Sequence, residues 1–426
     1  MTRAHTEDTN LSRDFRLLWT ASAADSLGTQ TSGVVLPLLL LAAGHSATVA
    51  GAVVSVSLLA GLLAGPFAAV LADRGGRRTV MTWSALTAGA AMAVVALLAV
   101  SARPPLGALL AAVTAERVAT SAFAAAAQGC VAALVPPAAY PRAVSRLQAG
   151  EQGALVAGPV LGGLLFQAAR WLPFLADALT YLVAVLCVRS IRGDLSPGAA
   201  REPGRRGVGA VFADLRDGLR FVRGESFLRG VLWWMTGVNG VLAALYYGAV
   251  FALERQGAGT AAIGTVLAVS GAAGVVGALL APRLAARIPA ARLAVLVSWA
   301  VVLVALGLTA ATGPWSYGLL FAVVSLLVPT LAVLLAAQAI AVTPAAFQSR
   351  VGTVLNTVSG VAATAAPLAA GALVALAGTT GLALAGAGMM ALVAVYASRV
   401  VAPGLRAAAA RPPGAAASPA GREAAP

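Results

Sequence analysis

The stretch "LADRGGRRTV" (Leu71–Val80) places one acid and three arginines within six residues, between two uncharged parts of the chain. Residues 26–72 and 79–102, on either side of this cluster, contain no Asp, Glu, Lys or Arg. A membrane-spanning helix needs about 20 apolar residues, so the chain on each side is long enough to cross a bilayer. We interpret the cluster as a short polar loop between two membrane-spanning helices.

The composition also indicates a membrane protein. Of the 426 residues, 60% are hydrophobic and 10% are charged, whereas soluble domains carry about 25% charged residues. Only helices or closed barrels satisfy the backbone in lipid, and these apolar runs are too long for barrel strands. The predicted fold class is an all-α membrane protein with twelve transmembrane helices in two pseudo-symmetric six-helix bundles. The predicted spans are about 17–42, 48–71, 79–100, 106–133, 147–168, 171–190, 229–252, 261–282, 291–312, 315–341, 352–376 and 379–400.

The basic residues predict the orientation of the chain in the membrane. All but four of the 29 lie in the tails or in loops that share one side. Because positive residues favour the cytoplasmic side, both termini are expected in the cytoplasm and the protein in the cell membrane. The predicted regions are a cytoplasmic tail (1–16), an N-terminal six-helix bundle (17–190), a cytoplasmic linker with an amphipathic helix (191–228), a C-terminal six-helix bundle (229–400) and a disordered cytoplasmic tail (401–426).

Several classes of protein are not indicated by this sequence. The formal charge of +14 is spread over short loops and does not form the basic face with aromatic partners that nucleic-acid binding requires. The two cysteines, Cys130 and Cys187, lie in or near apolar runs, which does not indicate a disulfide framework. Both histidines lie outside the spans, and we find no metal-ligand cluster, phosphate-binding loop or nucleophile triad. The sequence therefore predicts no enzyme, no cofactor or metal, and no nucleic-acid partner.

The linker between the sixth and seventh spans contains an amphipathic pattern. Phe212, Leu215 and Val222 share one face of a helix, and the opposite face is rich in Asp and Arg. Such a helix is expected to lie at the membrane surface. The alternative is a helix that covers a loop of the protein.

The two halves of the chain contain matching segments. "PPAAYPRAVSRLQ" at 136–148 resembles "TPAAFQSRVGTVLN" at 343–356. Pro137 aligns with Pro344 at an offset of 207, and one inserted residue then brings the offset to 208. The matches at 208 are Arg142 with Arg350, Leu147 with Leu355, Pro159 with Pro367 and Gly163 with Gly371. Related halves of this kind are typical of secondary transporters.

The charged cluster and the repeat together resemble the major facilitator superfamily, and the resemblance covers nearly the whole chain. The family's signature after the second span is a Gly, an Asp-Arg pair eight residues later and a basic pair after a short gap. The corresponding residues here are Gly65, Asp73, Arg74, Arg77 and Arg78. The resemblance implies that they form a latch between the two halves in one state of the transport cycle.

Physical arguments give these residues a role in the loop. Gly65 allows two helices to approach closely. Asp73 is expected just before the third span, where a carboxylate favours the positive end of the helix. The alternative is a loop that only keeps positive charge on the cytoplasmic side.

The fifth span carries "GEQGALVAGPVLGG", whose ending resembles the Gly-rich motif of exporters in this family. The matching residues are Gly158, Pro159, Gly162 and Gly163. Ala154 departs from the pattern, which has Gly at that position. Small residues allow tight packing, and Pro159 removes a backbone donor. The resemblance implies proton-coupled export, and the linker and sixth span look like those of macrolide-efflux and siderophore-export proteins.

Charged residues inside predicted spans are few, and a charge in lipid indicates function. Asp25 lies about eight residues into the first span, or roughly 12 Å deep at 1.5 Å per residue. It is our preferred proton or cationic-substrate site; the alternative is a carboxylate that caps a kink near Gly28.

Glu116, Arg117 and Asp177 are the other candidates in the first half. Glu116 and Arg117 are neighbours on a helix and therefore point about 100° apart, so they are expected to be poorly placed for each other. Arg117 is expected to tune the proton site or to form a structural ion pair. Asp177 is expected to pack against a serine or a backbone group, or to take part in proton transfer.

The second half has no acidic residue between Glu254 and Glu423, so the proton site is expected in the first half. The candidate substrate residues of the second half are Asn239, Tyr246, Gln338 and Asn356. Trp and Tyr near span ends are often interface anchors instead. A cavity wall rich in apolar and aromatic groups would suit a lipophilic substrate.

These observations predict a secondary transporter that exports small amphipathic or lipophilic compounds in exchange for protons, by alternating access. The expected partners are the substrate, protons and the lipid bilayer, and the protein is expected to act as a monomer. A proton-linked importer of a small metabolite and a membrane sensor or scaffold without transport activity are the alternatives.

Overall fold

The computed structural model describes residues 12–136, 139–195, 208–344 and 347–409, which are almost entirely helical. The helices are α1 (Arg13–Ala42), α2 (Ala47–Gly75), α3 (Arg77–Val100), α4 (Leu106–Leu134), α5 (Tyr140–Ala168), α6 (Leu172–Ser190), α7 (Val208–Gly224), α8 (Ser226–Arg255), α9 (Thr260–Arg287), α10 (Ala290–Leu308), α11 (Pro314–Val342), α12 (Gln348–Tyr396) and α13 (Ala402–Ala409). A single π-helical turn (Ala397–Val401) joins the last two.

Nine helical runs in the described part of the chain are long and apolar enough to cross a membrane. They contain α2, α3, α4, α6, α8, α9, α10, α11 and α12. Helices α1 and α5 match two further predicted spans in length but are more polar, since α1 contains Asp25 and α5 contains Arg146 and Glu151. The charged residues of these two helices explain why neither is among the nine most apolar runs.

Helix α12 contains two spans. Its 49 residues would reach about 74 Å at 1.5 Å per residue, more than twice the thickness of a hydrocarbon core. Gly378 interrupts it with a φ of 72°, a left-handed conformation that glycine adopts without penalty. The parts before and after Gly378 correspond to the last two predicted spans. With α1–α6 and α8–α11, they complete the predicted twelve transmembrane helices.

The chain forms two compact units. Unit 1 comprises Met1–Leu39 with Ala60–Val208, and unit 2 comprises Leu40–Leu59 with Gly209–Pro426. This division differs from the predicted N-terminal bundle, because the end of α1 and the first half of α2 (Leu40–Leu59) group with unit 2.

Close packing on α12 explains why the start of α2 belongs to unit 2. An added Cβ at Gly51 would overlap the backbone carbonyl of Pro367. The hydroxyl of Ser55 accepts a hydrogen bond from the N–H of Leu368 at 3.0 Å. A run of small residues in α2 lets the two backbones approach this closely.

The apolar core of unit 1 lies where α1, α3, α4 and α6 meet. Phe15, Leu18 and Met81 are fully buried there, and Phe123 is nearly so. Because lipid is as apolar as these side chains, van der Waals packing holds such helices together in a membrane. This packing brings α1, α4 and α6, the helices that carry the predicted acids, next to one another.

The turns before α5 and before α12 have the same local structure. The N–H of Ala139 donates to the carbonyl of Pro136 at 2.9 Å, and the N–H of Phe347 donates to that of Pro344 at 2.8 Å. Each helix begins at the next residue, so the two turns are related by the 208-residue offset throughout. Pro136, and not the predicted Pro137, is the counterpart of Pro344, and no inserted residue is needed. The two residues inside each turn lie outside the described residues.

Two predicted tails differ from the structure. Helix α1 begins at Arg13, inside the predicted tail 1–16. The predicted disordered tail 401–426 contains α13, and Leu405 in this helix is only 1% exposed. Packing against the protein orders this segment, although its composition is of low complexity. The predicted tail from residue 410, the tail up to residue 11 and the linker at 196–207 lie outside the described residues.

Helix α7, in the predicted linker, packs against the turn between α11 and α12. An added Cβ at Gly218 would come within 2.8 Å of the carbonyl oxygen of Arg350. Phe221 stacks on Phe347 with ring centroids 5.1 Å apart, and Arg350 Nε lies 2.9 Å from Asp214 Oδ1. Part of the α7 surface thus covers a loop of unit 2, as the alternative interpretation of the amphipathic pattern expects.

Candidate functional site

Predicted site residues from three helices come together inside unit 1. Asp25 lies on α1, Glu116 and Arg117 lie on α4, and Asp177 lies on α6. The three carboxyl groups are near enough to one another, and to the guanidinium group, to interact electrostatically. We call these four residues with Tyr181 the acid cluster.

Glu116 makes two of the direct contacts in the acid cluster. It is 2% exposed, its Oε1 accepts a hydrogen bond from the hydroxyl of Tyr181 at 2.9 Å, and its Oε2 lies 3.4 Å from Nε of Arg117. The prediction that Glu116 and Arg117 are poorly placed for each other is therefore wrong. Their Cβ atoms diverge, but the arginine side chain is long enough to turn back to the carboxylate.

Tyr181 connects Glu116 to α1. Its hydroxyl oxygen lies 3.1 Å from Oγ1 of Thr29, and its side chain is 1% exposed. A phenol carries one proton, and Tyr181 donates it to Glu116, so the hydroxyl of Thr29 is the donor in the other bond. A continuous path of hydrogen bonds thus runs from α1 through α6 to α4.

Asp177 is completely buried against α1. An added Cβ at Gly28 would overlap its carboxyl group, so only glycine leaves room for it. The hydroxyl of Thr180 lies 3.5 Å from Asp177 Oδ1, Ser32 lies close enough to interact with the carboxyl group, and the buried Asp177 Oδ2 has no hydrogen-bond partner among the described residues. Asp177 therefore has the serine neighbour that the sequence suggests, and this serine lies on α1.

Asp25 faces the same region from α1. It precedes Gly28 by three residues and therefore shares its helix face. Asp25 Oδ1 is enclosed and accepts no hydrogen bond from any described residue. A buried polar oxygen without a partner is unfavourable, and a carboxylate that capped a kink would accept a backbone N–H. Asp25 Oδ1 thus caps no backbone N–H of the described residues.

Arg117 extends from α4 toward α1. An added Cβ at Gly33 would lie 3.1 Å from Arg117 Nη2, and an added Cβ at Gly61 would lie 3.0 Å from the Arg117 carbonyl oxygen. The two glycines allow α1 and α2 to pack closely on α4 at this residue. The guanidinium group of Arg117 thus lies in a region that contains three carboxyl groups.

The Gly-rich motif of α5 packs on α1 close to the acid cluster. An added Cβ at Gly158 would lie 3.0 Å from the backbone carbon of Gln30, and one at Gly162 would overlap the carbonyl oxygen of Thr31. Pro159 and Gly163 are buried beside them. This packing holds the part of α1 that follows Asp25.

The charged cluster between α2 and α3 makes contacts within unit 1. Arg77 is 7% exposed and lies over Gly129 of α4, where an added Cβ would be 2.9 Å from the Arg77 Cζ atom. Arg78 Nη2 donates a hydrogen bond to the carbonyl of Gly193 at 2.8 Å. The arginines thus tie the α2–α3 turn to α4 and to the chain that follows α6.

The other residues of this cluster lie on α2. Gly65 faces α4, and an added Cβ there would be 3.3 Å from Oγ of Ser121. Asp73 and Arg74 belong to the last turn of α2, and their side chains lie outside the described part of the structure. The prediction that Asp73 directly precedes the third span is wrong, because α2 continues past it before the chain turns at Gly76, with a φ of 80°.

Unit 2 contains a cavity of about 590 Å³ between α8, α10, α11 and α12. Two of the four predicted residues, Asn239 and Asn356, line it. Tyr246 and Gln338 are not among its lining residues; Tyr246 instead packs edge-on against Tyr247, with ring centroids 5.3 Å apart. The remaining lining is mostly aliphatic, which agrees with the apolar wall expected from the sequence.

Most polar groups at the cavity already have partners inside the protein. The indole N–H of Trp234 donates to Ser298 Oγ at 2.8 Å, so this ring presents an apolar surface. Thr343 Oγ1 donates to a backbone carbonyl at 2.6 Å, and Gln348 Nε2 donates to the carbonyl of Thr343 at 3.2 Å. Asn239 uses one N–H on the Met235 carbonyl at 2.9 Å. Asn356 has no side-chain hydrogen bond among the described residues.

Sequence patterns did not single out Tyr181 or Thr29. The usable signal is spacing, since Asp25 and Thr29 are four residues apart, as are Asp177 and Tyr181, and residues four apart share a helix face. A polar pair of this kind inside an apolar span marks a face that turns toward protein.

The twelve spans and the buried acids define a membrane transporter. The family model of the Major Facilitator Superfamily matches residues 18–367, and the chain belongs to this superfamily. No curated protein matches the sequence significantly.

Solved transporter structures share the fold. A bacterial homologue of the human lysosomal transporter Spinster, inward-facing and occupied, is 14% identical with a TM-score of 0.68, covering 93% of this chain and 96% of that one. The nucleoside transporter NupG is 13% identical with a TM-score of 0.64, covering 92% and 99%. The peptide transporter POT with alafosfalin is 15% identical with a TM-score of 0.64, covering 91% and 94%. At these identities the likeness establishes the fold and leaves the substrate open.

Proposed function

We propose that this transporter exports small amphipathic or lipophilic compounds in exchange for protons, as drug/proton antiporters do. The observation that carries the proposal is the acid cluster, in which Asp25, Glu116 and Asp177 share the interior of unit 1 with the guanidinium group of Arg117.

The charge of the acid cluster supports proton coupling. A buried carboxylate is stable only when it is paired, hydrogen-bonded or protonated. Arg117 pairs with Glu116, whereas Asp177 Oδ2, although buried, has no hydrogen-bond partner among the described residues. Asp25 Oδ1 has no hydrogen-bond partner there either, so the two aspartates are the groups that gain most from a bound proton, and the proposal assigns the coupling proton to Asp25. A site of this kind in a transporter span is a candidate proton relay.

The proposed direction of transport, export, rests on the likeness of the α5 motif to that of exporters in this family. The packing of the same motif supports a link to the acid cluster. Gly158 and Gly162 seat α5 directly on the α1 backbone, one to two turns beyond Asp25. A shift of α5 against α1 would therefore move the acid cluster. In this proposal that coupling links proton binding to the alternating exposure of the site.

The remaining parts of the proposal concern placement and gating. The distribution of arginines supports a cell-membrane protein with both termini in the cytoplasm, working as a monomer. Gly65, Asp73, Arg74, Arg77 and Arg78 would act as the latch between the two halves, because the buried Arg77 and the bonded Arg78 make the α2–α3 turn rigid enough to carry one.

Proton flux in proteoliposomes tests the proposal. Liposomes containing a pH-sensitive dye would receive a panel of lipophilic compounds that includes macrolide antibiotics. Wild type is expected to move protons when a transported compound is added, and Asp25→Asn is expected to lose this flux by at least about tenfold. The matched control is Asp217→Asn, which removes a carboxylate from α7, outside the acid cluster.

Each other outcome contradicts a defined part of the proposal. Full flux in Asp25→Asn would reject Asp25 as the coupling acid. The absence of flux in wild type with every compound would reject lipophilic drug export. Accumulation assays in cells that express or lack the protein separate the remaining choices, because an importer raises cellular content, an exporter lowers it and a sensor leaves it unchanged.

A further inference from the structure

The cavity in unit 2 and the acid cluster in unit 1 require different chemistry of what they bind. We propose that the unit 2 cavity is a binding site for an uncharged lipophilic molecule with a hydrogen-bonding group, held by the carboxamides of Asn239 and Asn356. The proposal deepens the export function and rests on it for the biological role of binding.

The first argument is that the described lining of the cavity has no charged side chain, which favours an uncharged ligand. None of its described lining residues is acidic or basic, and the sequence has no acid between Glu254 and Glu423. Arg350, which lies beside the lining residues Val351 and Gly352, directs its Nε to Asp214 of α7. A cation in an apolar cavity without a counter-ion is strongly disfavoured, so an uncharged ligand fits this wall.

The second argument is that the carboxamides of Asn239 and Asn356 have donors and acceptors available for a ligand. Asn239 keeps its carbonyl oxygen and one N–H available after its bond to Met235. Asn356 keeps its whole carboxamide. Both side chains are exposed to the cavity on facing helices, α8 and α12, whereas Trp234, Thr343 and Gln348 use polar atoms on protein partners. A few placed polar groups in an otherwise apolar cavity are typical of a small-molecule site.

The volume carries the third step. A cavity of about 590 Å³ lies within the usual range of about 300–1,000 Å³ for small-molecule sites. This volume can hold a fused aromatic ring system. The aliphatic side chains of the lining supply apolar surface for its ring faces.

A matched pair of dyes tests the proposal. Nile red is uncharged and carries a carbonyl acceptor, whereas Nile blue has the same ring framework with a positive charge. The full chain would be placed in lipid nanodiscs without a pH gradient, and dye fluorescence would be titrated against empty nanodiscs. Nile red is expected to bind saturably, and Nile blue at least about tenfold more weakly because no carboxylate compensates its charge.

Two variants show whether the dye occupies the cavity. Ala332→Trp fills it from an exposed lining position on α11 and is expected to remove saturable Nile red binding. Ala385→Trp, at an exposed position of α12 outside the lining, is the matched control and is expected to retain it. Asn356→Leu is expected to weaken Nile red about fivefold by loss of one hydrogen bond. It is expected to leave the hydrocarbon dye diphenylhexatriene unchanged, because that dye has no polar atom.

Three results would overturn the proposal. The first is equal affinity for the two dyes. The second is saturable Nile red binding that persists in Ala332→Trp, which would place the dye in lipid or at another site. The third is Nile red binding that Asn239→Leu and Asn356→Leu both leave unchanged. The test is independent of proton coupling, since Asp25→Asn is expected to bind Nile red normally. Loss of proton flux without loss of dye binding, or the reverse, thus tells which proposal fails.

Discussion

Unit 1 brings three carboxyl groups and an arginine together between α1, α4 and α6, whereas unit 2 has an apolar cavity with two available carboxamides. The two units nevertheless share a repeat, since the same turn precedes α5 and α12. The repeat preserves backbone contacts and leaves the interior side chains free to differ. Duplication therefore explains the common fold, and divergence of a few side chains explains the separate chemistry.

The counterparts of the α5 motif illustrate this difference. Gly162 in unit 1 lies against the α1 backbone at Thr31, and Gly371 in unit 2, the counterpart of the adjacent Gly163, lies against the α2 backbone at Ala47. Both glycines bring two helices into close contact. Only the contact in unit 1 adjoins a buried acid, so the same packing device serves different purposes in the two units.

The largest expected effect comes from removing the one cation of the acid cluster. Arg117→Met leaves Glu116 buried without its ion-pair partner, which is expected to destabilise the protein by about 3–5 kcal/mol. Thermal unfolding in detergent would measure this loss, and Arg287→Met, at an exposed position of α9, is the matched control. A second change, Glu116→Gln, is expected to restore much of the stability and none of the proton flux. If Arg117→Met were as stable as wild type, Glu116 would not need its ion-pair partner, and the proposed electrostatic difference between the units would be wrong.

A smaller effect is expected where α5 packs on α1. Gly162→Ala places a Cβ onto the carbonyl of Thr31, which is expected to cost about 1–3 kcal/mol of stability and to lower proton flux. Gly153→Ala, on the same helix with open space around it, is expected to be neutral or slightly stabilising. Parallel measurements of unfolding and flux would sharpen the proposed link between α5 and the acids. Equal behaviour of the two variants would break it.

Paired tyrosine variants compare the units directly. Tyr181→Phe leaves Glu116 Oε1 without its donor, and Tyr317→Phe removes an acceptor of Gln256 in unit 2. Each is expected to cost about 1 kcal/mol of stability. Only Tyr181→Phe is expected to lower substrate-driven proton flux, by several-fold, because of the two tyrosines only Tyr181 belongs to the acid cluster. An equal fall in flux for both would mean that lost stability, and not the hydrogen-bond path, limits transport.

The smallest expected effect is a change of charge in unit 2. Asn356→Asp places an acid of nearly the same shape in the cavity and is expected to raise the affinity for Nile blue by up to about fivefold. Nile red is expected to bind more weakly, because the carboxylate that replaces the Asn356 carboxamide has no N–H to donate to the dye. Dye titration in nanodiscs measures both changes. Unaltered binding of both dyes would show that Asn356 does not contact the ligand.

Most of the fold could be predicted from the sequence. Each apolar run had to be long enough to cross the bilayer as a helix, and charged or glycine-rich segments marked the ends of these runs. The prediction failed where packing overrides composition, as at Leu405, which orders an Ala-rich tail. It also failed at Asp73, because helix α2 extends through Asp73 and Arg74 and ends at Gly75.

The candidate site could be predicted only in part. Asp25, Glu116, Arg117 and Asp177 were identifiable because charge is rare inside spans. Tyr181 was not, since an aromatic residue in a span is normally apolar packing, and only the neighbouring Glu116 and Thr29 give its hydroxyl a role.

The sequence by itself determined the number and length of the spans, the restriction of buried acids to the first half and the family to which the chain belongs. These properties depend on runs of residues along the chain, which bilayer thickness and the energetic cost of buried charge make interpretable. The tertiary structure alone decided that Arg117 turns back to Glu116, that Tyr181 joins α4 to α1, and that Asn239 and Asn356 line one cavity. Such contacts depend on how each helix is rotated and packed against the others, and side chains far apart in sequence meet only when that packing is complete.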